Sequence, residues 1–117
     1  MSAPKKSYVT DIAEDISNRR LTFICNSSID LYWQFTLSGI PISLDTVSHV
    51  YFIYSDDTHT TTVTGSVFDV SKGIVLIQIQ PADLAIIGQW DWDIVVMDKS
   101  NKENITAYGD MVTIGKL

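Results

Sequence analysis

The sequence predicts an all-β domain, an immunoglobulin-like β-sandwich of seven to eight strands with an N-terminal arm or short helix. Three observations carry that expectation. The stretch Gly88 to Lys99, GQWDWDIVVMDK, places Trp90, Trp92, Ile94 and Val96 on one face at period two, with Asp91 and Asp93 on the other. Short β-favouring runs recur between turn signals from Leu21 to Ile114. At most one or two helical turns interrupt them, which favours a sandwich over a barrel, the alternative architecture.

The chain of 117 residues is long enough for one core and too short for two. Apolar residues make up 45% and charged residues 19%, an ordinary globular balance. Burying two indoles side by side removes roughly 150–250 Å² each from water, so residues 88–99 are expected to form the central strand.

In chain order, residues 8–20 fit either a short helix or an extended arm. Tyr8, Ile12 and Ile16 recur at four-residue spacing, with Val9 and Ala13 beside them, and Arg19-Arg20 suit a helix C-terminus. Leu21 to Cys25 opens the strand-rich region. The next strand, Ile29 to Leu37, has Leu31, Trp33, Phe35 and Leu37 on one face and Asp30, Tyr32, Gln34 and Thr36 on the wet one. Gly39 and Pro41 mark a turn into an edge segment ending at Leu44. Val47 to Tyr54 and Thr60 to Phe68 form a hairpin about Ser55-Asp56-Asp57-Thr58.

Asp69 to Gly73 turns again into Ile74 to Gln80, a near-continuous apolar strand that implies burial on both sides or a change of neighbour. Pro81 to Ala85 predicts one helical turn. Beyond the central strand, Lys99 to Asn104 is a polar loop and Ile105 to Ile114 pairs back.

The formal charge of −6 is unevenly spread. Residues 1–20 carry +1, with Lys5, Lys6, Arg19 and Arg20 against Asp11, Glu14 and Asp15, and residues 21–117 carry −7. An acidic body argues against a nucleic-acid partner, which needs clustered Lys and Arg. With no apolar run of signal or membrane-span length, no membrane partner and a cytosolic site of synthesis are expected, and Asn26-Ser27-Ser28 and Asn104-Ile105-Thr106 match the glycosylation triplet by chance. The single cysteine, Cys25, allows no internal disulfide.

No catalytic constellation is visible, and no enzymatic activity or cofactor is expected. Cys25 sits on an apolar strand, as small core residues do. His49 and His59 flank a hairpin without a nucleophile-elbow serine near them. Asp91 and Asp93 could chelate calcium with a loop carboxylate such as Asp98, but alternating aspartates on a sandwich strand fit a solvated face better. Tyr32, Tyr51 or Tyr54, with an unburied tryptophan, could form a sugar platform, although core packing is the commoner fate of aromatics at this period. A carbohydrate- or calcium-binding module is therefore the alternative to an assembly protein.

The order of several motifs resembles the small immunoglobulin-like modules of tailed bacteriophages, such as N-terminal domains of baseplate upper proteins and head- or tail-fibre attachment domains. These motifs are Gly39-Ile40-Pro41-Ile42-Ser43-Leu44, Gly65-Ser66-Val67, Lys72-Gly73-Ile74-Val75, Pro81-Ala82-Asp83-Leu84, Gly88-x-Trp-x-Trp-Asp-Ile and Gly109-Asp110-Met111-Val112-Thr113-Ile114. The resemblance spans residues 21–117. It implies a structural virion protein, often trimeric, joined to capsid, neck, tail or baseplate. Because the chain ends at Leu117 without a distal fibre portion, an adaptor or decoration role is expected. Residues 1–20 would be a docking arm and 21–117 the sandwich, with Lys5, Lys6, Tyr8, Val9, Ile12, Ile16, Arg19 and Arg20 meeting a second copy or another virion protein.

Overall fold

The computed structural model of the chain describes residues 4–13 and 19–115, with residues 103–106 as backbone only. It is an all-β sandwich. The strands are β1 (Lys5–Asp11), β2 (Leu21–Ile24), β3 (Ile29–Leu37), β4 (Ile40–Pro41), β5 (Val47–Ser55), β6 (Thr60–Asp69), β7 (Ile74–Ile79), β8 (Gly88–Asp98) and β9 (Glu103–Ile114). The predicted helical turn is a short 3₁₀ element, Pro81–Leu84, closed by reciprocal bonds between Gln80 and Asp83.

Hydrogen-bonded neighbours run β1-β3-β7-β6-β5-β8-β9-β2, with β4 paired to β3. Two layers arise because this single sheet curls over at β6. The first half of β6 pairs with β5, ending at Gly65 opposite Val50, and the second half pairs with β7, beginning at Ser66 opposite Leu76. Gly65 sits at the crossing for a steric reason: a Cβ there would lie 2.9 Å from the Leu76 carbonyl oxygen. The neighbours β3-β7-β6 in one layer and β5-β8-β9 in the other match strands B-E-D and C-F-G of the immunoglobulin fold.

β8 is central to its layer, as its pattern predicts, flanked by β5 and β9. Trp90, Trp92, Ile94 and Val96 all face the core. There Trp92 meets Trp33 across the sandwich at 5.0 Å between ring centroids. Ile74–Ile79 is not buried on both sides: Val75, Ile77 and Ile79 are buried, while Ile74 and Leu76 turn to the half-exposed outer face.

The N-terminal segment departs from a helix. Lys5–Asp11 is a strand parallel to β3, from Lys5 opposite Asp30 to Asp11 opposite Thr36. Extended backbone wins because inward positions of β1 have core partners: Tyr8 packs on Trp33 at 4.9 Å, and Thr10 is buried beside it. Among the described residues the strand count rises to nine through β1 and the two-residue β4. Among the described residues, no helix is long and apolar enough to cross a membrane.

Candidate assembly surfaces

Of the eight N-terminal candidates, Lys5, Lys6, Tyr8 and Val9 lie on β1 and Ile12, Arg19 and Arg20 flank the segment that follows it. Three of them turn toward the domain itself. Lys6 reaches across the mouth between the layers, its Nζ donating to the Thr22 carbonyl at 3.0 Å and lying 5.2 Å from the Phe23 ring centre. Tyr8 is held between Trp33 and the Arg19 guanidinium, which lies 5.0 Å from its ring centre. The Arg19 carbonyl accepts from the Trp92 indole at 2.9 Å. Its backbone presses so closely on Gly109 that a Cβ there would lie 2.1 Å from the Arg19 oxygen.

The other candidates face outward. Lys5, Val9, Ile12 and Arg20 are exposed, Val9 at 51% and Ile12 at 47%. Ile16 lies outside the described residues. The basic segment is thus partly a clasp across the domain's own mouth and partly an exposed edge.

Residues that sequence reasoning had not placed at an interface extend that edge. On the outer face of the β1-β3-β7-β6 layer, Ser7, Tyr32, Leu76 and Ser66 fall in one row, and Val9, Gln34 and Ile74 in the next. Phe68, 58% exposed, meets Tyr32 edge-on at 4.9 Å. Val9, Tyr32, Ile74, Leu76 and Phe68 therefore give this layer an apolar outer face. The legible signal was the run Ile74-Val75-Leu76-Ile77, too apolar for a strand with one wet side.

The opposite outer face is mixed, with His49, Tyr51, Val95 and Met97 at one end, and becomes acidic toward the other. Thr62, Ile53, Asp93 and Tyr108 form one row across β6, β5, β8 and β9, and Ser55, Asp91 and Asp110 form the next. Arg20, Asp56, Asp57, Asp91 and Asp110 border a cleft of about 350 Å³. Among the described residues, no three His, Cys, Asp or Glu side chains converge as a metal site.

Asp98 cannot join Asp91 or Asp93 in a site, because seven and five steps along the strand put it roughly 23 Å and 16 Å away. Its carboxylate is committed to its own turn, accepting from the Ser100 and Lys102 amides and the Ser100 hydroxyl. Asp56 does the same for the β5–β6 turn, accepting from the Thr58 and His59 amides. Asp11 ties the end of β1 to the β3–β4 turn, accepting from the Gly39, Ala13 and Ser38 amides and the Thr36 hydroxyl. These amide bonds, chiefly from Gly39, Thr58 and Lys102 respectively, lower the pKa of Asp11, Asp56 and Asp98 below the usual carboxylate value.

The remaining candidates do not come together. Cys25 is buried. His49 stacks on Tyr51 at 5.9 Å, whereas His59 pairs with Asp56 at 3.4 Å, at the other end of β5. The Ser48 hydroxyl lies 3.0 Å from His49 Nδ1 but also 2.9 Å from the Asp98 carbonyl, where it fills the irregularity between β5 and β8. All three indoles and Tyr54 are buried, and Tyr32 and Tyr51 lie on opposite outer faces. The aromatics therefore form no shared platform.

The fold is that of an immunoglobulin-like sandwich, and its described surface offers an open edge at β1, an apolar outer face and the acidic cleft. No protein-family model matches the chain, and no curated protein matches it. Among solved structures it is similar to the N-terminal domain of phage TP901-1 ORF48, with a TM-score of 0.70 and 11% identity, covering 94% of this chain and 98% of that one. At that identity the likeness is one of fold.

Proposed function

We propose that this chain is a structural protein of a tailed bacteriophage virion that works by protein–protein assembly. One observation carries the reading: its fold overlaps almost the whole of a phage domain, leaving 2% of that domain unmatched. The resemblance of its order of turn motifs to that of phage attachment modules also supports it. So does the apolar outer face of Val9, Tyr32, Ile74, Leu76 and Phe68 on a domain whose body is strongly acidic. Capsid, neck, tail and baseplate all accommodate such a module, as adaptor or decoration protein, with homo-oligomerisation or a second virion protein covering the face.

Mass spectrometry and antibody labelling of purified phage particles test this reading. Stoichiometric presence in particles, at one position on them, is the expected result. A chain abundant in the infected cell but missing from washed particles would refute it.

A further inference from the structure

We propose that β1 is a two-fold dimerisation edge, on which β1 of a second copy of this chain pairs antiparallel. The inference deepens the assembly reading by naming the surface and its occupant. Among the described residues, β1 ends the strand order, with β3 on one side and no strand on the other. Its bonds to β3 include Pro4 O accepting from Asp30 N at 2.9 Å and Ile12 N donating to Thr36 O at 2.8 Å. In an evenly spaced parallel ladder, these two bonds fix the even-numbered residues as those whose amides and carbonyls face β3. Lys5, Ser7, Val9 and Asp11 therefore point theirs away, toward the open side.

Natural sheet edges are blunted by prolines, charges, bulges or a covering segment, and β1 carries its charges, Lys5, Lys6 and Asp11, toward its two ends. The middle of β1, Ser7-Tyr8-Val9, has no proline, charge or bulge, and its pairing with β3 runs without a register shift. A second β1 completes it. With Tyr8 opposite Tyr8 at the two-fold axis, Ser7 faces Val9 and Lys5 faces Asp11, and every outward amide and carbonyl of those residues finds a partner. No like charges are then opposed: Lys5 stands across from Asp11, whose carboxylate stays with the Gly39, Ser38 and Thr36 donors on its own side, and Ile12 stands across from Pro4. Sliding by two residues leaves either Lys5 or Asp11 unpaired and forfeits bonds. This self-complementarity argues for a second copy over an unrelated strand. Pairing would also join the two outer faces on which Val9 and Tyr32 lie into one.

Sedimentation equilibrium of the full chain, with two sets of variants, tests the pairing. The wild-type protein should run at twice the 13.1 kDa chain mass. V9K, which puts a charge on the exposed edge diagonal to Lys5 of the second copy, should run at the chain mass, keep a cooperative unfolding transition, and melt at a temperature that, unlike the wild type's, does not rise with protein concentration. A double variant, S7C with V9C, should cross-link to a dimer under mild oxidation, since directly opposed hydrogen-bonded residues lie about 5.5 Å apart. S7C alone should not, because its two sulfurs would be out of line by a further two residues, roughly 6–7 Å along the strand. A monomeric wild type, an oligomer that V9K leaves intact, or cross-linking by S7C as strong as by the double variant would each overturn the proposal. Presence in purified particles is decided separately, so the assembly reading and this edge can fail independently.

Discussion

The Trp33 indole donates to the Thr10 hydroxyl at 2.9 Å, joining the most N-terminal strand to the centre of the core. Trp33 has no exposed surface and Thr10 is buried, so that bond has no water to replace it. Thr10→Val keeps the shape of the side chain and removes the acceptor. It is expected to lower stability by about 1–3 kcal/mol, the cost of an unsatisfied buried donor. The urea midpoint measures it, and a chain lacking residues 1–11 should lose more, because Tyr8 and the whole β1–β3 ladder go with it.

The two tryptophans of β8 should differ in cost. Trp92 contacts Trp33 and Phe52 and donates to the Arg19 and Asp110 carbonyls, whereas Trp90 lies at the cleft, against Tyr54 and with one bond to Thr113. Trp92→Ala is expected to cost ~3–5 kcal/mol and Trp90→Ala less. Equal urea midpoints for the two variants would contradict this ranking.

Acid should weaken the domain through its turn aspartates. Asp11, Asp56, Asp69 and Asp98 have folded pKa values lowered from the ordinary 3.8 by backbone amide bonds. Depressed carboxylates contribute stability that is fully present above the unfolded value and lost as pH falls through the lowered folded values. Melting temperature should therefore be insensitive to these groups at neutral pH and drop below about pH 4. Asp11→Asn should flatten part of that drop while lowering stability at pH 7, since an amide accepts these bonds less strongly than a carboxylate.

Calcium should leave the melting temperature unchanged. Asp98 ends β8, seven steps beyond Asp91, and already satisfies its own turn. A ligand of the native state must raise the midpoint, so a calcium-dependent rise would revive a binding-module function.

Much of the sandwich was legible from strand periodicity. The central place of β8, the inward row from Trp90 to Val96, and the hairpin of β5 and β6 follow from alternation and turn residues alone. Residues 8–11 were ambiguous because Tyr8 and Ile12 satisfy a helical spacing, while the decisive fact, a buried Trp33 indole that needs Thr10 as its acceptor, lies on another strand. The same holds for Lys6 and Arg19. Their charge suggested an external partner, but Phe23, Tyr8 and the Thr22 carbonyl occupy them within the domain. Local pattern exposes which face a side chain takes; it is silent on which distant strand provides the contact. The outer apolar face could have been found from Ile74 and Leu76, whose parity puts them opposite the buried Val75 and Ile77.

The crossing of β6 from one layer to the other bears on how the domain carries load. In a sandwich of two separate sheets, side-chain packing and the connecting loops resist the layers sliding apart. Here the strand that ends one sheet begins the other, so peeling them apart must rupture covalently continuous backbone ladders on either side of Gly65. Strain arriving at either layer is shared by both, and amides flanking Gly65 should exchange with deuterium only when the entire domain opens.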